Sequence, residues 1–192
     1  MQLQPSLLYL SHVPKEGALQ LVIVGKDPFP HDPTGIPFCK RDWTEQWRHN
    51  CSGGHVLRAL GVNQQAASHA YQHPCHLFFD LCKAGIVFLN ASYTLLKGLS
   101  GEKRLACLDS AKSINLPIIG RAKQVLYCGE AGSFYGQSGW SPNETAVIHP
   151  DIRNSWSRHS KVKEGWRACW SKGQLLEKYH LTLPEHLEAG FD

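Results

Sequence analysis

The sequence lacks the features of membrane, secreted and disulfide-rich proteins. Its 192 residues contain no long apolar run and no signal-peptide pattern. We therefore expect an intracellular protein with no membrane partner, either cytoplasmic (prokaryotic or viral) or nuclear, and the sequence does not determine which. The seven cysteines are odd in number and form no C-x-x-C pair, which argues against a disulfide framework and a standard zinc site. Repeats, low-complexity tracts and linkers are also missing, so we expect a single domain over residues 1–192.

Two common nucleotide-binding signatures are missing as well. The chain has neither a P-loop pattern nor a dinucleotide-binding glycine fingerprint. Nothing in the sequence therefore supports an α/β enzyme of the nucleotide hydrolase type. The net charge is +4 and the pI is near 8.7, a mild basic excess that permits a polyanionic partner without requiring one.

Four short apolar runs are present, and none alternates cleanly with polar residues. This pattern is typical of strands that are covered on both faces. The runs are Leu21–Gly25, Gly85–Asn90, Gln124–Gly129 and Thr145–Pro150. Segments with helical spacing lie between and after them: Gly53–Leu60, Cys75–Lys83, Glu102–Ile114, and Lys161–Tyr179 with breaks at Gly165 and Gly173. The alternation predicts a three-layer α/β fold, in which helices flank a central four-stranded parallel sheet. We expect the final ten residues to be loosely held.

Polar side chains follow three of the predicted strands. Asp27 follows the first strand, Asn90 ends the second and His149 ends the fourth. Ligands of open parallel sheets bind outside the carboxyl ends of the strands, so these side chains are expected to converge there. An amide matches the polar edge of a base, an imidazole can donate to a developing oxyanion, and Phe38, on a stiff Gly/Pro-rich loop, can stack on a flat ligand. The set is consistent with a nucleobase site.

The motifs around these residues resemble those of the uracil-DNA glycosylase superfamily. They occur in the family's order, from about Leu21 to Ser155. GKDPFP resembles the water-activating motif GQDPYH, GIPFC the segment with the stacking phenylalanine, and GIVFLNASYT the strand end LLLNxxxT. CSGGHVLRALG resembles the proline–serine loop and its helix, VLYCGEAGS the strand before the glycine–serine loop, and VIHPDIRNS the loop HPSPLS.

The resemblance implies a role for each of these side chains. Asp27 would be catalytic by positioning the attacking water or stabilising an oxocarbenium-like sugar, the transition state of glycoside cleavage in general. His149, also catalytic, would donate a hydrogen bond to O2 of the departing uracil anion. Asn90 would pair with uracil N3–H and O4 and reject cytosine, Phe38 would stack on the base, and Phe29 would block the thymine methyl group.

The function implied is hydrolytic removal of uracil from DNA, the first step of base excision repair. The enzyme would be a monofunctional glycosylase that leaves an abasic site, and the damaged base must flip out of the helix to reach the pocket. Its partner would be DNA that contains uracil or a related damaged base, and we expect a monomer. No metal or cofactor is required. The cysteines lack the close spacing of iron–sulfur ligands, and none precedes the first strand.

The chain departs from the family's motifs at several positions. Lys26 replaces a glutamine in the substrate-binding motif, where a backbone role would survive. Pro30 replaces the motif histidine and removes a backbone N–H. Asp151 stands where the commonest branch has a phosphate-contacting serine, and a carboxylate is unfavourable near phosphates. Arg153 takes the place of the wedge leucine, where it would fill the gap left by the base, grip a phosphate, or simply remain a solvated charge.

Several further residues are candidates for DNA contacts. Ser52, Ser133 and Ser155 are candidates for phosphate contacts. The segment after Ser155 adds a basic patch with four cations, for which a merely solvated helix face is an equally good interpretation: Arg158, Lys161, Lys163 and Arg167.

Two alternatives stay open within this resemblance. Pro30 leaves room for a glycosylase that acts on another deaminated or modified base, such as hypoxanthine. A non-catalytic DNA-binding member of the superfamily is the second alternative. The presence of Asp27, Phe38, Asn90 and His149 together argues against that second alternative.

Overall fold

The chain folds around a central sheet of four parallel strands. The computed structural model describes residues 6–135 and 143–188. The strands are β1 (Leu21–Gly25), β2 (Ile86–Asn90), β3 (Val125–Cys128) and β4 (Glu144–Val147), in the order β2-β1-β3-β4. Helices surround this sheet, so the predicted three-layer α/β fold with a four-stranded parallel sheet is confirmed. No helix in the described ranges combines the length and apolar character needed to cross a membrane.

Ten α-helices and one 3₁₀ helix occur in the described ranges. The α-helices before β3 are α1 (Leu7–Ser11), α2 (Trp43–Gln46), α3 (Ser52–Ala59), α4 (Gln64–Ala70), α5 (Pro74–Lys83) and α6 (Gly101–Ile119). Those after β3 are α7 (Ala131–Tyr135), α8 (Ser160–Trp170), α9 (Gln174–Lys178) and α10 (Glu185–Glu188). The 3₁₀ helix, Ile152–Trp156, lies between β4 and α8.

The two edge strands of the sheet, β2 and β4, differ in burial. At the β2 edge, the buried Tyr9 hydroxyl accepts a hydrogen bond of 2.8 Å from the Phe88 N–H. All five residues of β2 are buried, as predicted. At the other edge, Thr145 and Ala146 of β4 are exposed. The prediction that all four strands are covered on both faces is therefore wrong for β4: only Val147 of this strand is buried, although β2, the other edge strand, is buried throughout.

Several helix boundaries also differ from the predictions. Helix α6 continues to Ile119 because Pro117 is accommodated inside it. Gly165 lies within α8 rather than breaking it, and a Cβ there would come within 3.0 Å of Ile148. Gly173 does separate α8 from α9, with φ at +73°.

The C-terminal segment is more firmly held than predicted. Leu183 and Leu187 are buried in the hydrophobic core, and Glu185–Glu188 forms α10. Apolar side chains at these two positions anchor the segment, which the general tendency of chain ends to fray does not take into account. Residues 189–192 lie outside the described residues.

Candidate functional site

A cleft of about 420 Å³ opens at the carboxyl edge of the sheet. Parallel strands end at the same edge, and the register places Gly25 of β1 beside Asn90 of β2. The loops after β1, β2 and β4, together with the start of α3, form the remaining walls. Eight of the predicted site residues line the cleft: Lys26, Asp27, Phe29, Phe38, Ser52, Asn90, His149 and Arg153.

Asn90 presents its side-chain amide to the cleft. The residue is 6% exposed, yet its side-chain amide forms no hydrogen bond within the described part of the chain. A Cβ on Gly25 would lie 2.9 Å from Asn90 Oδ1 and 3.0 Å from Phe38 Cζ, so the space beside the amide depends on glycine at that position. Neither amide atom is among the fully buried side-chain atoms that lack a partner, so both are open to the cleft, where a ligand with a matching polar edge can pair with them.

A buried polar network holds the backbone of Asn90. Asn115 of α6 is fully buried, and its Nδ2 donates to the Asn90 carbonyl at 2.8 Å and to the Tyr135 hydroxyl at 2.7 Å. The Tyr93 hydroxyl donates to Asn115 Oδ1 at 2.9 Å. Burial raises the pKa of Tyr135 to about 12, so its hydroxyl stays neutral and keeps both its donor and its acceptor. Sequence reasoning missed Asn115, whose only signal is a polar residue within an apolar helical stretch.

Phe38 forms the aromatic side of the cleft on a strained backbone. It is 7% exposed, and its φ of +65° is uncommon for a residue with a large side chain. Its ring meets Phe88 edge-on at 6.2 Å between ring centres. Strain of this kind persists only where the surrounding structure enforces it, and it is concentrated at functional sites.

Gln46 and Gly53 hold this strained segment, residues 36–40, which we call the Phe38 strap. The Gln46 side chain is buried, donates to the Phe38 carbonyl at 3.2 Å and accepts from the Lys40 N–H at 2.7 Å. Gly53, near the start of α3, lies so close that a Cβ there would be 1.8 Å from the Phe38 carbonyl oxygen. Sequence reasoning missed both residues, and neither carries a local signal of its role.

Asp27 lies at the side of the cleft with its carboxylate partly buried. The Leu96 N–H donates to Asp27 Oδ2 at 2.9 Å. Burial raises the pKa of Asp27, whereas the Leu96 hydrogen bond and the nearby Lys26 ammonium oppose that rise. The Lys26 side chain pairs with Glu130 at 3.0 Å between Nζ and Oε1, so it acts on Asp27 through the electrostatic field.

His149 is held as a neutral ring. Its Nδ1 accepts a hydrogen bond of 3.2 Å from the Asp151 N–H, and burial lowers its pKa. A neutral imidazole that accepts at Nδ1 carries its hydrogen on Nε2, which is then a donor. Gly129 allows the ring to sit close to the end of β3, because a Cβ there would be 3.0 Å from His149 Cβ.

Asp151 and Arg153 form an ion pair at the opening of the cleft. Arg153 Nε lies 3.0 and 2.9 Å from the two carboxylate oxygens of Asp151, and the same carboxylate accepts from the Arg153 backbone N–H at 2.9 Å. These bonds lower the pKa of Asp151. The Arg153 side chain is 84% exposed. The guanidinium therefore offsets the negative charge that Asp151 brings to this position.

Phe29 and Pro30 lie on the loop that faces these residues. The Lys40 ammonium sits 3.8 Å from the centre of the Phe29 ring, a cation–π contact that orients the ring. Pro30 is exposed and lines the cleft.

The three serines differ in their positions. Ser52 lines the cleft at the start of α3. The cleft lining does not include Ser133 or Ser155, whose hydroxyls donate to the carbonyls of Glu130 and Ile152, both at 2.7 Å.

Asp27, Phe38, Asn90 and His149 thus surround one cleft with a carboxylate, an aromatic ring, an amide and a neutral imidazole. No group of three or more His, Cys, Asp or Glu side chains within residues 6–135 and 143–188 is arranged to hold a metal ion. Comparison of the chain with models of known protein families and with curated protein sequences finds no match.

Proposed function

We propose that the protein is a monofunctional DNA glycosylase, which removes uracil by hydrolysing its N-glycosidic bond and leaves an abasic site. One observation carries this proposal. The unpartnered amide of Asn90 lies beside the strained Phe38 in a cleft that also holds Asp27 and His149. The amide and the ring are suited to a flat ligand with a polar edge. Asp27 and His149 are suited to stabilising the charges that develop when the glycosidic bond breaks.

Recognition of uracil follows from the donor and acceptor pattern of Asn90. Its Oδ1 accepts from N3–H of uracil, and its Nδ2 donates to O4. Cytosine presents the inverse pattern and leaves two polar atoms unpaired, which costs free energy at a buried site. The Phe38 ring stacks on the face of the base. Phe29, oriented by Lys40, blocks the space that a methyl group at C5 would need.

Bond cleavage is divided between Asp27 and His149. As the bond between the sugar and N1 of uracil breaks, its electron pair stays on the base and the sugar gains oxocarbenium character. The Asp27 carboxylate stabilises this positive charge and accepts a proton from the water that attacks the anomeric carbon. The Nε2–H group of His149 donates a hydrogen bond to O2, where negative charge accumulates on the departing base.

A panel of labelled oligonucleotides tests the proposal. Single- and double-stranded substrates carry U, T, hypoxanthine or a modified pyrimidine, and alkali then cleaves the chain wherever a base has been released. We expect cleavage only at U. Asp27→Asn should lower turnover by about 10²- to 10⁴-fold with binding retained, because this substitution removes the anion and the proton acceptor together.

Asp109→Asn, on the exposed side of α6, is the matched control and should leave turnover unchanged. Unchanged turnover in Asp27→Asn would remove Asp27 from the mechanism. Binding without release of any base would instead identify a non-catalytic DNA-binding protein.

A glycosylase for another deaminated or modified base is the second candidate. Pro30 lines the cleft without a backbone N–H to offer, so this wall is less polar than the family's motif would make it. Release of hypoxanthine or a modified pyrimidine, with uracil left intact, would favour this candidate.

A further inference from the structure

Trp156 exposes a large aromatic surface one 3₁₀ turn after Arg153, a residue of the cleft lining. The residue is 66% exposed at the end of the 3₁₀ helix. Within the described ranges, its indole forms no hydrogen bond and no ring contact. An exposed Trp side chain forgoes the burial of apolar surface that makes this residue type stabilising in proteins. A partner that covers the ring would recover this free energy.

The 3₁₀ geometry aligns Trp156 with Arg153, which lines the cleft. Side chains three residues apart eclipse in a 3₁₀ helix, and a rise of about 2 Å per residue separates them by about 6 Å along the axis. The burial pattern agrees with this alignment: Ile152 and Ser155 are half-buried, whereas Arg153 and Trp156 are exposed. The Trp156 ring is therefore on the same ridge as an Arg at the cleft opening.

The segment that carries Trp156 has an excess of positive charge, which suits a polyanion. Residues 151–167 contain five Lys or Arg residues and two acidic residues. One of the two acidic residues, Asp151, is already paired with Arg153. An exposed aromatic ring among cations is the arrangement that binds single-stranded nucleic acid, since every base offers a face for stacking and the cations follow the backbone. A second copy of this chain would bring the same excess of positive charge to the interface.

We propose that Trp156 stacks on a nucleobase that neighbours the nucleotide held in the cleft. This inference rests on the proposed function to the extent that nucleic acid is the ligand. Arg153 is engaged by Asp151, so the flat indole rather than the guanidinium supplies the stacking surface on this ridge.

Binding of a non-hydrolysable oligonucleotide measures the stacking without any base release. The probe contains a tetrahydrofuran abasic analogue with 2-aminopurine as its neighbour, and both its anisotropy and its 2-aminopurine fluorescence are recorded. Trp156→Ala should weaken binding about tenfold. The same substitution should change the fluorescence of the bound probe, because the neighbouring base loses its stacking partner. Trp156→Phe should retain most of the affinity, since a flat ring remains.

Leu105→Ala is the matched control, because Leu105 is an exposed apolar residue at 59% on α6. It should bind the probe as the unaltered protein does. Salt dependence separates stacking from charge. Trp156→Ala should leave the slope of log K against log salt unchanged, whereas Arg158→Ala should reduce the magnitude of that slope by about 1.

The outcomes distinguish this inference from the proposed function. Weaker binding by Trp156→Ala supports the stacking role even if the unaltered protein releases no uracil, which would overturn the glycosylase proposal alone. Equal binding by Trp156→Ala and the unaltered protein, or no nucleic-acid binding by either, would overturn the stacking role. A change in the sedimentation of the free protein with probe binding intact would instead identify Trp156 as a contact between copies of the chain.

Discussion

The floor and the rim of the cleft are built from different interactions. The floor, Phe38 and Asn90, is held by Gln46 and Asn115, whose side chains are fully buried and hydrogen-bonded to backbone carbonyls. The rim, residues 151–156, is held by the Asp151–Arg153 ion pair, by local hydrogen bonds and by Ile152, which packs against the core and is only partly buried. Buried polar networks that are fully satisfied rigidify a structure, whereas exposed ion pairs contribute little to stability.

This difference separates two tasks in the proposed enzyme. Selection among bases that differ by one donor or acceptor requires a site whose groups are already in place, because ordering them on binding would cost free energy. Contact with a polymer backbone requires charge and a stacking surface, which side chains at an exposed rim provide with less restraint. Substitutions in the floor should therefore alter both folding and chemistry, and those of the exposed rim side chains should alter binding alone.

Gly53→Ala should have the largest effect on stability and activity, because the added methyl group clashes with the backbone of Phe38 in the floor. The new Cβ would lie 1.8 Å from the Phe38 carbonyl oxygen, which is backbone and cannot rotate away. We expect a loss of about 3 kcal/mol or more in the free energy of unfolding, together with loss of activity. Denaturant titration measures the first quantity.

Gly165→Ala in α8 is the control, since its Cβ would meet the Ile148 side chain at 3.0 Å rather than backbone. Equal losses in the two variants would contradict the tight packing of α3 against the Phe38 strap.

Gln46→Leu should have the next largest effect. It leaves the Phe38 carbonyl and the Lys40 N–H without their hydrogen bonds, and we expect a loss of about 2 kcal/mol in the free energy of unfolding. Activity should fall further than this loss explains at temperatures where the variant is fully folded, because the Phe38 ring loses its fixed position. Gln65→Leu, on an exposed face of α4, should change neither quantity.

The acid limb of the pH–activity profile should move in opposite directions in Lys26→Met and Glu130→Gln. The proposed reaction needs ionised Asp27, and burial raises its pKa, so activity should fall at a pH above the ordinary range of an Asp. Loss of the Lys26 ammonium should raise this pKa further and move the limb to higher pH. Loss of the Glu130 charge should lower the pKa and move the limb to lower pH.

Initial rates between pH 4 and 8, roughly the range in which perturbed carboxyl groups titrate, measure these shifts. Lys103→Met, an exposed change on α6, should leave the limb in place. A shift in the same direction for both variants would contradict control of Asp27 by the field of this pair.

Arg153→Ala should have the smallest effect on stability. The side chain is exposed, so the thermal unfolding midpoint should not change measurably. Nucleic-acid binding should weaken, because the Asp151 carboxylate then faces phosphates without its partner. Asp151→Asn added to Arg153→Ala should recover part of that binding. A large drop in the unfolding midpoint would show that the rim is as firmly built as the floor.

Much of the fold, and the placement of eight of the predicted site residues at the cleft, follow from patterns that are local in the sequence. The apolar runs predict the four strands, because strands buried between helix layers need nearly continuous apolar residues. The convergence of Asp27, Asn90 and His149 also follows, because parallel strands place their carboxyl ends at one edge. The exposure of β4 could not be predicted, since it depends on which distant segments pack over each edge strand: β2 is covered throughout and β4 is not.

The sheet and the chemical groups that follow its strands are predictable from the sequence alone. The interactions that hold those groups in place are not, because they join segments that are distant in the chain. Three residues act through contacts with backbone atoms of distant segments: Gln46, Gly53 and Asn115. The sequence around each of them does not indicate those contacts. The exposure of Trp156 was decided in the same way, because the side of the 3₁₀ helix that packs against the core left this ring facing solvent.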